Sequence, residues 1–339
     1  MHYLITGHTG FKGAWLSLLL KQQGHQVSGI SLAPEPGALF EVAGLDADLE
    51  HDIRLDIRDA AATAKAVQHV SPEVVFHLAA QPLVRESYLE PRLTFETNVM
   101  GTLNVIEAVA NTDSVKAHVV ITTDKVYKNV NRVEGYKEDE SLGGDDPYSS
   151  SKAMADIMTQ SWIKSFPGIP TAIARAGNVI GGGDVSKDRL LVDLLQSFSQ
   201  GVPTSIRYPD AVRPWQHVLD CVNGYVALAD ELLAGGGLGE WNFGPAPESF
   251  VSVRSIADAA SKLWGDEASW IDESSGNHLH EAGLLALDSS KSEAQLNWRN
   301  KLKFDDSLAW TIAWKKRLLL GENARDVTVS QIKNFISIP

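Results

Sequence analysis

Short apolar runs rich in β-formers alternate with stretches of helical period through the first half of the chain. The runs are HYLIT, QVSGISL, EVVFHLA and AHVVITT, and the patterns between them predict helices over about 12–23, 60–70 and 92–110. Strand and helix in alternation build parallel βαβ units. The runs are almost continuously hydrophobic, as expected of strands covered on both faces. The pattern therefore predicts an α/β fold built on a doubly wound parallel sheet. From about residue 177 the rhythm breaks, and GNVIGGGD, GVP and AGGGLGEWNFGPAPE read as loops and shorter elements. A smaller, mixed α/β part is expected over 177–339, with segments free to return to the first domain of 1–176. No repeat, low-complexity tract or Pro/Ser-rich linker separates the two, so they are expected to pack closely around a cleft.

Composition narrows the class. The 339 residues are 44% hydrophobic and 22% charged, ordinary for a globular protein of about two domains. A lone cysteine, Cys221, excludes an intramolecular disulfide and a cysteine-based zinc site, and it points to a reducing cytoplasm. AWLSLLL is far shorter than a membrane span, and a Gly-rich motif precedes it where a basic signal region would lie. Neither secretion nor membrane insertion is expected. A net charge of -13 argues against broad nucleic-acid binding, so a phosphorylated ligand must meet a local arginine cluster.

TGHTGFKG follows the first strand and opens the first helix, with Gly7, Gly10 and Gly13 in a G-x-x-G-x-x-G spacing. Glycines there permit a tight turn and let backbone N–H groups and the helix N-terminus approach a pyrophosphate. This makes the sheet Rossmann-type and assigns dinucleotide binding to 1–176. The acid that usually grips the adenosine ribose after the second strand is missing; GISLAPEPG offers only Glu35, which leaves NAD and NADP both open. LDIRD follows a presumed third strand and puts Asp56 and Ile57 where an adenine edge would be held.

Two further motifs carry chemistry. DPYSSSKAMAD sets Tyr148 and Lys152 four residues apart, on one helix face. A lysine ammonium beside a phenol is expected to lower its pKa from about 10, making tyrosine a general base. ITTDKVY places an acid and a base, Asp124 and Lys125, side by side where a strand ends. His278 and His280 in HLHEA alternate as on a strand, but with no defined third ligand they do not make a metal site. His77, inside VVFHLAA, reads as a satisfied core histidine.

Together these motifs resemble the extended short-chain dehydrogenase/reductases that modify nucleotide sugars. The closer resemblance is to the CDP-glucose 4,6-dehydratases, carried nearly end to end by TGHTGFKGAWLS, FHLAAQPLVRESY, TNVMGT, TTDKVYKN, GDDPYSSSK, RAGNVIGGGD and RPWQHV. The resemblance implies an NAD cofactor regenerated in each cycle. It implies that Thr123, Tyr148 and Lys152 oxidise the sugar at C4, that Asp124 protonates the departing C6 hydroxyl, and that Lys125 takes the C5 proton where related dTDP-glucose dehydratases carry Glu. An ammonium cannot accept a proton, so this role needs Lys125 partly neutral, through desolvation or through the neighbouring Lys152.

The same resemblance adds Thr9, Phe11, Lys12, Leu78, Ala79, Ala80 and Asn98 to the cofactor contacts already named, along with Tyr148 and Lys152. It assigns Arg85 to the sugar pocket, and Asn178, Arg189, Arg207 and Arg213 to the nucleotide diphosphate, where guanidinium forks suit phosphate oxygens. His280, in HEA, falls near the nucleotide. Family members commonly pair through two helices, here about 92–110 and 149–165, so a homodimer is expected. Two other readings stay open: an epimerase or a dehydratase for another nucleotide, and a non-catalytic NAD-binding regulatory module.

Overall fold

The computed structural model describes residues 1–265, 268–275 and 284–339. The chain opens with strand β1 (His2–Thr6), helix α1 (Phe11–Gln22), β2 (Gln26–Ser31), β3 (Asp52–Arg54), α2 (Ala60–Val70) and β4 (Val74–His77). Helix α3 joins Pro91–Phe95, a π-helical turn Glu96–Gly101 and Thr102–Ala110, and it leads into β5 (Ala117–Ile121). Next come α4 (Pro147–Ser165), β6 (Thr171–Ala176), β7 (Asn178–Ile180), α5 (Leu190–Ser199), β8 (Thr204–Ile206) and β9 (Val212–His217). The remainder is α6 (Val218–Leu233), β10 (Gly239–Phe243), β11 (Phe250–Ser252), α7 (Val253–Trp264), β12 (Trp270–Asp272), α8 (Phe304–Leu319) and α9 (Ala324–Ser337).

Seven strands form one sheet in the order β10-β6-β5-β4-β1-β2-β3, every pairing parallel. The strands are buried on both faces, as their nearly continuous hydrophobicity requires, except the edge strand β3, whose residues stay partly exposed. One face packs Trp15 and Leu19 of α1, Val222 and Tyr225 of α6 and Ile332 of α9. The other packs Val67 of α2 and Val105 and Val109 of α3 against Leu4, Ile30 and Val75. Truncating a fully buried residue such as Leu4 to alanine costs about 2–5 kcal/mol. Strand order reverses between β1 and β4, which opens a crevice at the carboxyl ends of these two strands.

The part after residue 177 is more regular than its glycines suggest. AGGGLGEWNFGPAPE, read above as loop, contains β10, which pairs with β6 and completes the large sheet with Trp241 and Phe243 buried. Its glycines flank the strand and mask it. Helix α6 lies against the sheet beside α1, burying Val218, Leu219, Val222, Tyr225, Val226 and Leu232. A three-stranded sheet, β11-β9-β7, and the pair β12-β8 lie beyond, with their own core of Leu191, Leu194, Phe198, Trp215, Ile256 and Ile312.

Candidate active site

The turn after β1 is shaped by contacts only glycine permits. Gly7 has φ +78°, and a Cβ on it would lie 2.7 Å from the backbone nitrogen of Ala79 at the end of β4. A Cβ on Gly13 would lie 2.2 Å from the Gly7 carbonyl oxygen. Gly10 differs: it is exposed, caps α1 without a side-chain hydrogen bond, and a Cβ there would meet only the Gly7 carbonyl, at 3.3 Å. The first N–H groups of α1 thus open into a cradle that a side chain at Gly10 would begin to fill, the shape a pyrophosphate needs. Phe11 packs against the core beside it. Lys12 donates to the Tyr225 hydroxyl at 3.3 Å, and that hydroxyl also receives Cys221 Sγ at 3.0 Å.

At the end of β2, Ser31 stands where the ribose acid is usual, its hydroxyl 2.7 Å from that of Thr9. Glu35 lies farther along and is exposed. Asp56 is held by Arg58 through a fork of 2.6 and 2.9 Å bonds, and this pairing holds its carboxyl below the usual range. Ile57 is buried against α3; its carbonyl accepts from Asn104 at 2.8 Å, and a Cβ on Gly101 would lie 2.6 Å from its Cδ1.

Leu78, Ala79 and Ala80 follow β4 and form the other wall of the crevice, with Leu78 N–H donating to Thr6 O at 3.0 Å. Asn98 lies in the π-helical turn, a common device for re-aiming a side chain. Its amide donates to Gln81 O at 3.0 Å and to Ser151 Oγ at 2.9 Å, and its oxygen accepts from Gln81 N–H at 2.8 Å. Asn98 therefore ties the β4 loop to α4. His77 is buried between Thr6 Oγ1 at 2.7 Å and Thr102 Oγ1 at 2.9 Å, a satisfied core histidine.

The reacting groups converge from two directions. Asp146 caps α4, its carboxylate accepting from Ser149 N–H at 2.8 Å, so Tyr148 stands in the first turn and Lys152 one turn on. The Tyr148 N–H donates to Ser87 Oγ at 3.1 Å. From β5, Thr123 and Asp124 enter a short 3-10 turn, Asp124–Val126, both buried. The Thr123 hydroxyl donates to Asp124 Oδ1 at 2.8 Å, and Lys125 Nζ lies 3.7 Å from the same oxygen. A Cβ on Gly177 would lie 2.9 Å from Asp124 Oδ2, so only glycine leaves this carboxylate its place.

Two electrostatic expectations need correction. Burial pushes the Tyr148 phenol up to about 12, and hydrogen bonding to Thr123 offsets only part of it. Lys152 does not lower it here: its ammonium donates to Ile121 O at 2.8 Å, and desolvation, then the charge of Lys12, bring Lys152 itself down to about 8. Nor does Lys125 face the charge of Lys152: its side chain is 30% exposed, and its Nζ lies 3.7 Å from the Asp124 carboxylate.

The residues expected to meet a substrate are more dispersed. Arg85 donates to Asp188 Oδ1 at 2.7 Å, and Arg189 Nη1 lies 3.3 Å from Asp184 Oδ2, so an acidic loop holds both guanidinium groups. Burial, with the nearby Asp188, raises Asp193 to about 6. Asn178 opens β7 and pairs in register with Trp215 of β9, two residues from Arg213, whose Nη1 donates to Val212 O at 3.0 Å. Arg207 follows β8 and is half-buried. His278 and His280 lie outside the described residues. Among the described residues, no group of three or more His, Cys, Asp or Glu side chains is placed to hold a metal, and no helix is long and apolar enough to cross a membrane.

Sequence reasoning missed the support behind this cluster. Asp156 and Arg175 are both fully buried and joined by bonds of 2.7 and 2.9 Å, and Asp156 also accepts from Thr122 Oγ1 at 2.9 Å. The available signal was spacing: Asp156 stands four residues beyond Lys152, on the same helix face.

A parallel sheet with a glycine cradle at its switch point, flanked by tyrosine and lysine one helical turn apart, defines a dinucleotide-dependent enzyme of the short-chain dehydrogenase/reductase type. The chain belongs to the NAD dependent epimerase/dehydratase family, whose description fits residues 3–244. It is 43% identical to the CDP-glucose 4,6-dehydratase of Salmonella typhimurium, over 98% of this chain and 95% of that one. The fold matches a Bacillus cereus UDP-glucuronic acid 4-epimerase solved with UDP-glucuronic acid and NAD (TM-score 0.79, 25% identity, 94% and 100% of the chains covered). It also matches a Stenotrophomonas maltophila UDP-glucose-4-epimerase with bound NAD (TM-score 0.82, 20% identity, 95% and 100% covered). The cofactor is NAD.

Proposed function

We propose that the chain converts CDP-glucose to CDP-4-keto-6-deoxyglucose, by C4 oxidation, loss of water across C5 and C6, and hydride return to C6. The observation that carries this reading is the Thr123 hydroxyl, which donates to Asp124 and also reaches the Tyr148 phenol. It joins the groups suited to oxidation to those suited to elimination. The nucleotide assignment is supported by the 43% identity to the Salmonella enzyme.

Residues of the Gly7–Gly13 turn, with Asp56, Ile57, Leu78 to Ala80 and Asn98, would hold the cofactor. Bound NAD would supply the hydride acceptor for C4, the hydride donor for C6, and a positive ring that offsets the burial acting on Tyr148. Thr123 and Tyr148 hold the C4 hydroxyl, and Tyr148 takes its proton with Lys152 behind it. The ketone makes the C5 hydrogen acidic. Asp124 and Lys125 stand side by side after β5, with Lys125 Nζ 3.7 Å from Asp124 Oδ1, so a proton donor and a proton acceptor are within reach of neighbouring carbons. Lys125 takes the C5 proton, Asp124 protonates the C6 oxygen, and water leaves. A proton returned to C5 completes the product. Asn178, Arg189, Arg207 and Arg213 would hold the diphosphate, with Arg85 nearer the sugar; His280 would lie near the nucleotide.

The same reading covers the 177–339 part as mainly nucleotide-sugar binding. It also makes the enzyme a cytoplasmic homodimer. Met100 on α3 and Met154 and Ile157 on α4 are about half exposed, at 50%, 47% and 53%, an apolar face suited to pairing with a second copy. Light scattering at the monomer mass would reject the dimer.

The test of the reaction is CDP-glucose carrying deuterium at C4. Recovery of the label at C6 of a dehydrated product, with a solvent hydrogen at C5, is expected. Label retained at C4 would instead mark an epimerase, and no movement of label a binding module.

A further inference from the structure

The Arg175–Asp156 pair costs more to bury than a surface pair, because two charges leave water, and well-packed apolar residues of similar size often serve stability as well or better. Its place in the fold gives it another use. Asp156 lies on α4, four residues beyond Lys152 and eight beyond Tyr148. Its carboxylate accepts from Arg175 Nε at 2.9 Å and Nη2 at 2.7 Å, from Gln160 Nε2 at 2.9 Å, and from the Thr122 hydroxyl at 2.9 Å. Thr122 immediately precedes Thr123 and Asp124.

The other end of Arg175 grips the far side of the same segment. Its Nη1 donates to the Tyr127 hydroxyl at 2.8 Å and to Glu138 O at 3.0 Å. Tyr127 closes the turn that holds Asp124 and Lys125, and its own hydroxyl donates to Asn242 Oδ1 at 2.8 Å. Two residues beyond Arg175, Gly177 sets the wall against Asp124 Oδ2. One ion pair thus clamps residues 122 and 127, on either side of the elimination groups, and refers both to helix α4. Lys152 has a separate anchor in Ile121 O.

We infer that Arg175 and Asp156 are a positioning pair for the elimination step, aligning Asp124 and Lys125 with a sugar already oxidised beside Tyr148. This rests on the reading of the site above. Neither residue is placed to touch substrate; they act through Thr122 and Tyr127. A misplacement of about 1 Å costs an enzyme about 10²-fold in rate, so loss of the clamp is expected to slow water loss far more than hydride transfer.

The test compares wild type with the double variant Asp156→Val/Arg175→Met, which replaces the charges by apolar groups of nearly the same total size. Thermal melting, NADH formed in a single turnover of CDP-glucose, and release of dehydrated product are measured on each. Melting near wild type, NADH formation within a few-fold, and product release slower by about 10²-fold with NADH accumulating are expected. Product release at the wild-type rate, or both rates falling by one factor, would overturn the inference. Should the double variant not fold, Tyr127→Phe, which removes one hydroxyl, carries the same test: a smaller split of the same sign supports the clamp, and an unchanged partition rejects it. A wild-type enzyme that makes no dehydrated product rejects the reading of the site and this inference with it, whereas normal wild-type turnover confines any failure to the clamp.

Discussion

The Thr123 hydroxyl donates to Asp124 Oδ1 at 2.8 Å, so a group suited to steadying the C4 oxygen also orients the acid for C6. Asp124→Asn keeps the shape and the Thr123 bond but cannot deliver a proton to an oxygen. Turnover is expected to fall by about 10²–10⁴-fold, the usual contribution of a general acid, with NADH and ketohexose accumulating. Rapid-quench analysis of the bound sugar checks this; turnover at the wild-type rate would remove Asp124 from the role.

Tyr148→Phe removes the proton acceptor while leaving the glycine turn untouched. NAD affinity is expected to stay near wild type, and single-turnover NADH formation to disappear. Since burial holds the phenol up at about 12, the wild-type oxidation rate should also rise with pH as the phenol ionises, the positive ring of bound cofactor drawing that rise toward neutral pH. An oxidation rate flat from neutral to alkaline pH would contradict this.

The alternation of strand and helix was legible through β5 because its runs are almost continuously apolar, and the glycine turn because Gly7 and Gly13 meet a steric demand there. Tyr148, Lys152, Thr123 and Asp124 were legible as motifs, and the structure gathers them. Charge balance was not. Tyr148 is raised rather than lowered because desolvation outweighs a lysine bound elsewhere, to Ile121 O. Asp156 and Arg175 lie 19 residues apart in sequence, and nothing local marks them as partners. Strand β10 was hidden because its glycine flanks resemble a loop until pairing with β6 is known.

Gly10→Ala separates fold from cofactor binding. Its backbone, φ −76° and ψ 170°, suits alanine, and the added Cβ meets only the Gly7 carbonyl at 3.3 Å. Loss of a glycine N-cap costs at most about 1 kcal/mol. The methyl group does, however, enter the cradle beside the first N–H groups of α1. NAD affinity is expected to fall about tenfold or more, roughly 1.4 kcal/mol of binding, with melting nearly unchanged. Equal affinities by calorimetry would mean that the pyrophosphate lies elsewhere.

Acid should weaken the fold through histidines that burial keeps neutral. His118 lies fully buried in β5, neither ring nitrogen has a hydrogen-bond partner among the described residues, and burial pushes its pKa down to about 3. The unfolded chain takes up this proton near pH 6.5, whereas the folded one resists until about pH 3. The sign follows: stability from this residue is intact above about 6.5 and is lost as pH falls toward 3, by at most about 1.4 kcal/mol per unit. His217, also brought to about 3 by burial, acts in the same direction. Asp220, raised to about 7 by desolvation, and Asp193, raised to about 6, act in the opposite one, since each holds a proton that the unfolded chain has released. The wild-type curve mixes these signs, so the informative quantity is its difference from His118→Leu. Between pH 6 and pH 4 that difference should move toward the variant by about 1 kcal/mol per pH unit in urea unfolding. A difference independent of pH would show that His118 takes up its proton in the folded state as readily as in the unfolded one.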